Sequence, residues 1–242
     1  MCGRFLLTAT PEELEALLGY IDGDYFPPRY NIAPTQPIAI VRHERGGYRF
    51  ALARWGLVPG GVKDPRAFSL TINARAESIA GKPAYRGAMQ YRRCLVPASG
   101  FYEWKKLPNG RKQPFLVRPA GGGVVTFAGL WETWLGADGS EIDSGCIVTT
   151  DANADVAGIH DRMPVVVAPE DRERWLDAVA WPPADVADLL RPAPEGSFEA
   201  FPVSTRVNAA ANDDPGLVEP AAPADDTAPP VRAKGPAQPR LL

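Results

Sequence analysis

A chain of 242 residues, 45% hydrophobic and 23% charged, has the balance of a water-soluble globular protein and the length for one well-buried domain or at most two small ones. Its three cysteines (Cys2, Cys94, Cys146) and two histidines (His43, His160) include no CxxC or Cys/His pair at ligand spacing, which excludes a disulfide framework and leaves a structural zinc site unsupported. The net charge of −3 is uneven: residues 71–118 hold ten Lys/Arg against Glu77 and Glu103, while residues 119–242 hold twenty acidic groups against eight basic ones.

The opening residues, MCGRFLLTATPEEL, lack the basic start, apolar core and small-residue cleavage site of a signal peptide. No apolar run reaches the ~18 residues that span a bilayer, so the expectation is a cytoplasmic protein with no membrane partner. Thr10-Pro11-Glu12-Glu13 reads as a helix start with a capping box, and Leu14, Leu17 and Leu18 follow at helical spacing. After the Pro-rich segment 27–37 the pattern turns to strands. Ile38–Arg42 and Tyr48–Leu57 flank Gly46-Gly47, Cys94–Leu107 and Gln113–Arg118 flank Pro108-Asn109-Gly110, and Val124–Leu135 and Ile142–Thr149 flank Ala137–Ser140. Pro164–Ala168 and Phe198–Val203 read as further strands, and 153–159, 170–178 and 184–191 as helical. Many hairpins with few helices predict a single α+β domain on a mainly antiparallel, curved or barrel-like sheet with flanking short helices. Its expected extent is residues 1–219. The Pro/Ala-rich end, 220–242, has no periodicity and reads as a disordered tail.

Several residues could carry chemistry. Once Met1 is removed, Cys2 is an N-terminal 1,2-aminothiol, with reference pKa values of ~7.7–8 for the amine and ~8.5 for the thiol. The amine forms a Schiff base with an aldehyde, and the thiol can then close a thiazolidine ring. Against an amide carbonyl the same residue is an N-terminal nucleophile with its own amine as base; it could equally be an incidental residue of a frayed terminus. Glu103, amid the aromatics of Ser99-Gly100-Phe101-Tyr102-Glu103-Trp104, is either a buried acid–base group or a carboxylate on the polar face of a strand. His160 stands where a helix gives way to a strand, a position that suits a proton carrier and also a structural histidine. Asn73 could be a helix cap, Arg75 and Arg86 solvated charges, and Trp55 and Trp104 either core or base-stacking surfaces. The basic block is a polyanion footprint or a set of solvated strand faces.

In order along the chain stand CGRF at 2–5, RYNIAPTQ at 29–36, RWGLVP at 54–59, NARAES at 73–78, RRCLVPASGFYEW at 92–104, FAGLWETW at 127–134, TTDANADVAGIHDRMPVVV at 149–167 and STRVN at 204–208. Together they resemble the SOS-response-associated peptidase family, also described as abasic-site processing proteins, over residues 2 to about 219. The resemblance implies that Met1 is cleaved and that Cys2, Asn73, Glu103 and His160 meet in one pocket on a basic groove. The implied partner is single-stranded DNA with abasic sites, bound by a monomer without cofactor or metal. Cys2 would be the nucleophile, Glu103 the proton shuttle, His160 the group that helps open the sugar, and Asn73 a hydrogen-bonding partner of the sugar or adduct. Arg4, Asn31, Arg75, Arg86 and Arg162 would contact phosphates, with Trp55 or Trp104 near the bases. A thiol autopeptidase or hydrolase, and a non-catalytic single-strand binder, are the alternatives. One departure stands out: where family members commonly read RWGLIPSWAKDP, residues 54–65 read RWGLVPGGVKDP. Gly61 thus replaces an aromatic, and a weaker grip or altered junction preference is expected.

Overall fold

The computed structural model describes residues 2–20, 26–44 and 46–224. Strand β1 (Phe5–Leu7) leads into helix α1 (Pro11–Leu18). The Thr10 hydroxyl accepts from the Glu13 N–H at 3.2 Å, and the Glu13 carboxylate accepts from the Thr10 N–H at 2.8 Å. Gly19, at φ 63°, ends the helix in the left-handed conformation that glycine adopts without strain. Strands β2 (Arg29–Ile32), β3 (Pro37–Glu44) and β4 (Gly47–Trp55) follow, the last two forming the expected hairpin. Next come β5 (Asn73–Arg75), helix α2 (Pro83–Tyr91), β6 (Arg93–Ala98), β7 (Gly100–Lys106) and β8 (Lys112–Pro119). The long hairpin of β9 (Val125–Leu135) and β10 (Glu141–Asp151) precedes helix α3 (Ala154–Ala157), β11 (Arg162–Pro164), helix α4 (Arg172–Leu176) and β12 (Phe198–Pro202).

Strands β10, β4, β3, β6 and β9 hydrogen-bond in that order, and the β9–β10 pairing closes them into a five-stranded barrel. A second sheet runs β12-β8-β7-β1-β2. The α+β, mainly antiparallel, barrel-like expectation is met, with β4 and β5 lying parallel to β10.

The segment read as one strand, Cys94–Leu107, is two strands in different sheets. The chain crosses at Ser99, whose N–H donates to the Leu6 carbonyl at 2.9 Å and whose hydroxyl accepts from the Thr8 N–H at 3.0 Å. Gly100 allows the crossing, because a Cβ there would stand 2.8 Å from the Val117 carbonyl oxygen. Of the strand expected at 164–168, only Pro164 lies in β11. Val165 instead wedges apart the ends of β9 and β10, donating to Val148 O and accepting from Ala128 N–H, both at 2.9 Å. The helix expected at 184–191 is a 3-10 turn, Pro183–Leu189. Helix α2 was not among the expected helices: Pro83 opens it at the first position without a side-chain cap, and it buries only Tyr85, Ala88 and Met89. Of the expected tail, residues 225–242 lie outside the described residues, whereas Ala221 N–H donates to Pro202 O and Ala224 N–H to Gln113 Oε1.

Every residue of β6 is buried, since one face looks into the barrel and α4 covers the other. Arg93 is the unexpected member. Its guanidinium donates to the carbonyls of Met89 (3.1 Å), Trp175 (2.5 Å), Asp177 (3.2 Å) and Trp181 (2.7 Å), and burial pushes its pKa down to about 10. Replacing it with methionine strands these acceptors, each costing about 1–3 kcal/mol when left unsatisfied. With partial recovery from the apolar side chain, Arg93→Met should lose roughly 3 kcal/mol in urea unfolding. An unchanged midpoint and slope would mean that the four bonds contribute nothing net.

Candidate functional site

The site is assembled by the junction of the two sheets. Phe5 pairs with Phe101, so the chain before β1 runs back along the following residues of β7, and Tyr102 N–H donates to Arg4 O at 2.9 Å. Cys2 is thereby carried to Glu103 and is fully buried. Burial, then the Glu103 charge, pushes the Cys2 thiol well up from its ordinary value. Across from it, β5 is held parallel on the edge of β10, with Asn73 paired to Ile147. Asn73 Nδ2 donates to the Cys2 carbonyl at 2.8 Å, and its Oδ1 is buried with no hydrogen-bond partner.

Glu103 is only 2% exposed. Burial raises its carboxyl above the usual range, and the nearby His160 partly offsets this. His160 follows α3 and precedes β11, with Nε2 at 4.0 Å from Glu103 Oε2. Its Nδ1 accepts from the Arg162 N–H at 2.9 Å, and Asp161 Oδ1 lies 3.0 Å from the same nitrogen. A neutral ring therefore takes the bond from Arg162, and a protonated ring can donate to Asp161. Cys2, Asn73, Glu103 and His160, far apart in sequence, thus converge. Met1 lies outside the described residues.

The residues expected to touch DNA divide. Arg75 shares the sheet face of Asn73 two positions on and is exposed, as is Arg86 of α2. Trp104 is half-buried, donating from Nε1 to Asn208 Oδ1 at 2.8 Å. Arg4 Nη1 is engaged by Asn31 Oδ1 (2.8 Å) and Val207 O (2.7 Å). Two expectations need correcting. Asn31 is fully buried, its amide donating to the carbonyls of Val207, Ala209 and Asn212, so it ties the STRVN segment to β2 and has no surface for a strand. Trp55 is equally buried, edge-on to Phe5 with Nε1 on Ile72 O, and has no open face for a base. Arg162 is already held by acidic side chains. Gly61 lies at an exposed turn where an added Cβ would meet nothing within 4 Å, so the loop has room for the aromatic it lacks.

Two neighbours were not foreseen. Tyr85 of α2 donates from its hydroxyl to Asn73 O at 3.3 Å. Thr149 pairs with Arg75, so its side chain shares the Asn73 face, and its buried hydroxyl has no partner. Tyr85 lies outside the quoted motifs, and Thr149 opens the motif at 149–167, but only the β5–β10 register places its side chain on the Asn73 face. A cavity of about 660 Å³ lined by Leu6, Leu17, Leu116 and Arg118 lies elsewhere and includes none of the four converging residues. Among the described residues no three His, Cys, Asp or Glu side chains are grouped to hold a metal ion, and no helix is long and apolar enough to cross a membrane.

Residues 1–210 match the family model described as SOS response associated peptidase (SRAP). The chain is 36% identical over 225 residues to the abasic site processing protein YoqW of Bacillus subtilis, covering 90% of this chain and 99% of that one. It is 31% identical over 227 residues to the abasic site processing protein YedK of Escherichia coli, covering 91% and 100%. Among solved structures, a Bacteroides thetaiotaomicron protein superposes with a TM-score of 0.81 at 25% identity, covering 91% of this chain and 100% of that one.

Proposed function

The chain belongs to the SOS response associated peptidase family, and on that premise we propose that it senses abasic sites in single-stranded DNA and captures their aldehyde through Cys2. Loss of Met1 frees the α-amine, which adds to C1′ of the ring-opened sugar. Protonated Glu103 gives its proton to the departing hydroxyl, so water leaves and an iminium remains. The resulting carboxylate takes the thiol proton of Cys2 as sulfur adds to the same carbon. A thiazolidine closes, Glu103 is protonated again, and one water is released without oxidation or reduction. His160 assists opening of the sugar, and Asn73 holds the Cys2 carbonyl and offers Oδ1 to the sugar or amine. Arg4, Arg75 and Arg86 meet phosphates, and Trp104 stands near a base. The protein works as a monomer in the cytoplasm and on the nucleoid, shielding the lesion during replication. Weak lyase activity and slow crosslink reversal follow from the same iminium.

The observation that carries this reading is Glu103, buried so that its carboxyl is raised above the usual carboxylate range, 4.0 Å from His160 Nε2 and within electrostatic reach of Cys2. The test is incubation with a single-stranded oligonucleotide bearing one abasic site, beside an intact control, followed by a denaturing gel and mass spectrometry. The expected product is a heat-stable band with the abasic strand alone, lacking Met1 and one water. Protein confirmed to begin at Cys2 that binds both strands equally and forms no adduct would be a plain single-strand binder. Turnover of a peptide would instead favour the hydrolase.

A further inference from the structure

We propose that Leu70, seated on Gly56 beside the Arg54 guanidinium, covers the base that flanks an abasic site, while Arg54 takes a neighbouring phosphate. The inference rests on the abasic-site reading above and adds two strand contacts to it. Leu70 is 51% exposed. It stands three residues before Asn73, so their Cα atoms are at most about 11 Å apart. For so exposed a side chain it is closely seated. A Cβ built on Gly56 would overlap Leu70 Cδ1 and stand 3.3 Å from Arg54 Nη1. Gly56, at φ 135°, thus supplies both a backbone conformation that suits glycine and the room that Leu70 fills.

The backbone around Leu70 is fixed on two sides. Leu57 N–H donates to Thr71 O at 2.9 Å, and Gly56 N–H donates to Gly145 O at 2.8 Å. Trp55 Nε1 and the Ile147 N–H of β10 both donate to Ile72 O, each at 3.0 Å. Leu70 and Asn73 therefore stand on one frame at a set separation. Arg54 is half-buried, and among the described residues its guanidinium has only a long bond, 3.4 Å from Nη1 to Gly56 O, and no carboxylate partner. Its charge is available to an anion. In an intact strand each base face is covered by the next base. Beside an abasic site one face is bare, and an apolar side chain laid on it removes that face from water. Leucine is among the side chains that proteins insert between base steps. Leu70 therefore favours the lesion, whereas Arg54 meets a charge that every nucleotide carries.

The test uses a single strand with one tetrahydrofuran residue, an abasic analogue that has no aldehyde and so reports binding without capture. Its affinity is compared with that of the intact strand over a range of salt. Leu70→Ala should weaken binding to the tetrahydrofuran strand about fivefold, and to the intact strand by less than about twofold. Leu70→Met should keep the preference. Arg54→Gln should weaken both strands alike and reduce the salt slope by about one. Melting midpoints verify folding, and Leu70→Gln, polar and of similar length, serves if Leu70→Ala unfolds. Equal loss on the two strands, or loss on neither, would overturn the base contact. An unchanged salt slope in Arg54→Gln would overturn the phosphate contact. Wild-type protein that prefers the tetrahydrofuran strand but forms no adduct with a true abasic strand would remove the capture chemistry and leave Leu70 its role. Wild-type protein that binds both strands alike would remove lesion sensing and the Leu70 contact together.

Discussion

Cys2→Ala should reduce the heat-stable adduct with an abasic strand to background while leaving an adduct that appears only when borohydride is added. The distinction follows from the two nucleophiles of one residue. Alanine at the N-terminus keeps the α-amine, so addition to the aldehyde and loss of water still give an iminium, which hydride reduces to a permanent amine. Without sulfur no second bond to C1′ can form, and water reverses the iminium. Cys2 is fully buried, so its truncation should cost only about 1 kcal/mol of stability, too little to account for loss of the adduct. The variant must have lost Met1 and begin at the substituted alanine, and its N-terminus must be read by mass. A heat-stable band from that protein without reductant would exclude the thiazolidine.

Glu103→Gln should lower the crosslinking rate by about 10² or more and change the shape of its pH dependence. In the wild type the rate rises with pH as the Cys2 amine loses its proton. It falls again as Glu103 loses its own, because the carboxylic acid form is needed to expel water. Burial places that second limb above the usual carboxylate range. Glutamine cannot donate that proton, so the falling limb should disappear while the rising one remains. Stability gives an independent reading of the same shift. A carboxyl whose pKa is raised by folding keeps its proton longer in the native state, so its contribution is full below the unfolded value and is lost as pH rises through the folded one. Urea midpoints of the wild type should therefore decline across that window, and those of Glu103→Gln should decline less. A falling rate limb that survives in the variant would assign it to another group.

The basic block at 71–118 resolves into unlike parts. Arg75, two positions beyond Asn73, and Arg86 of α2 are exposed, whereas Arg93 is buried with its guanidinium donating to four carbonyls. Charge counting cannot make that division, because it depends on which strand faces are covered, and α4 covers the outer face of β6. The same limit applies to Asn31 and Trp55. Their motifs are legible in sequence, but a motif does not reveal whether a side chain points to DNA or into the core.

What the sequence by itself determined is local or compositional. The capping box of α1 is complete within Thr10–Glu13. The hairpins β3–β4, β7–β8 and β9–β10 follow from turn residues between β-forming runs, and the motifs identify the family. What only the tertiary structure decided depends on contacts between segments far apart in the chain. Barrel closure through the β4–β10 and β3–β6 pairings, the crossing at Ser99 and the wedge at Val165 each satisfy backbone groups from separate strands. The raised carboxyl of Glu103 likewise needs the burial created when β1 and β7 pair and bring Cys2 alongside. Periodicity encodes how a segment meets water on its own faces; which segments then cover those faces is fixed only when the chain closes on itself.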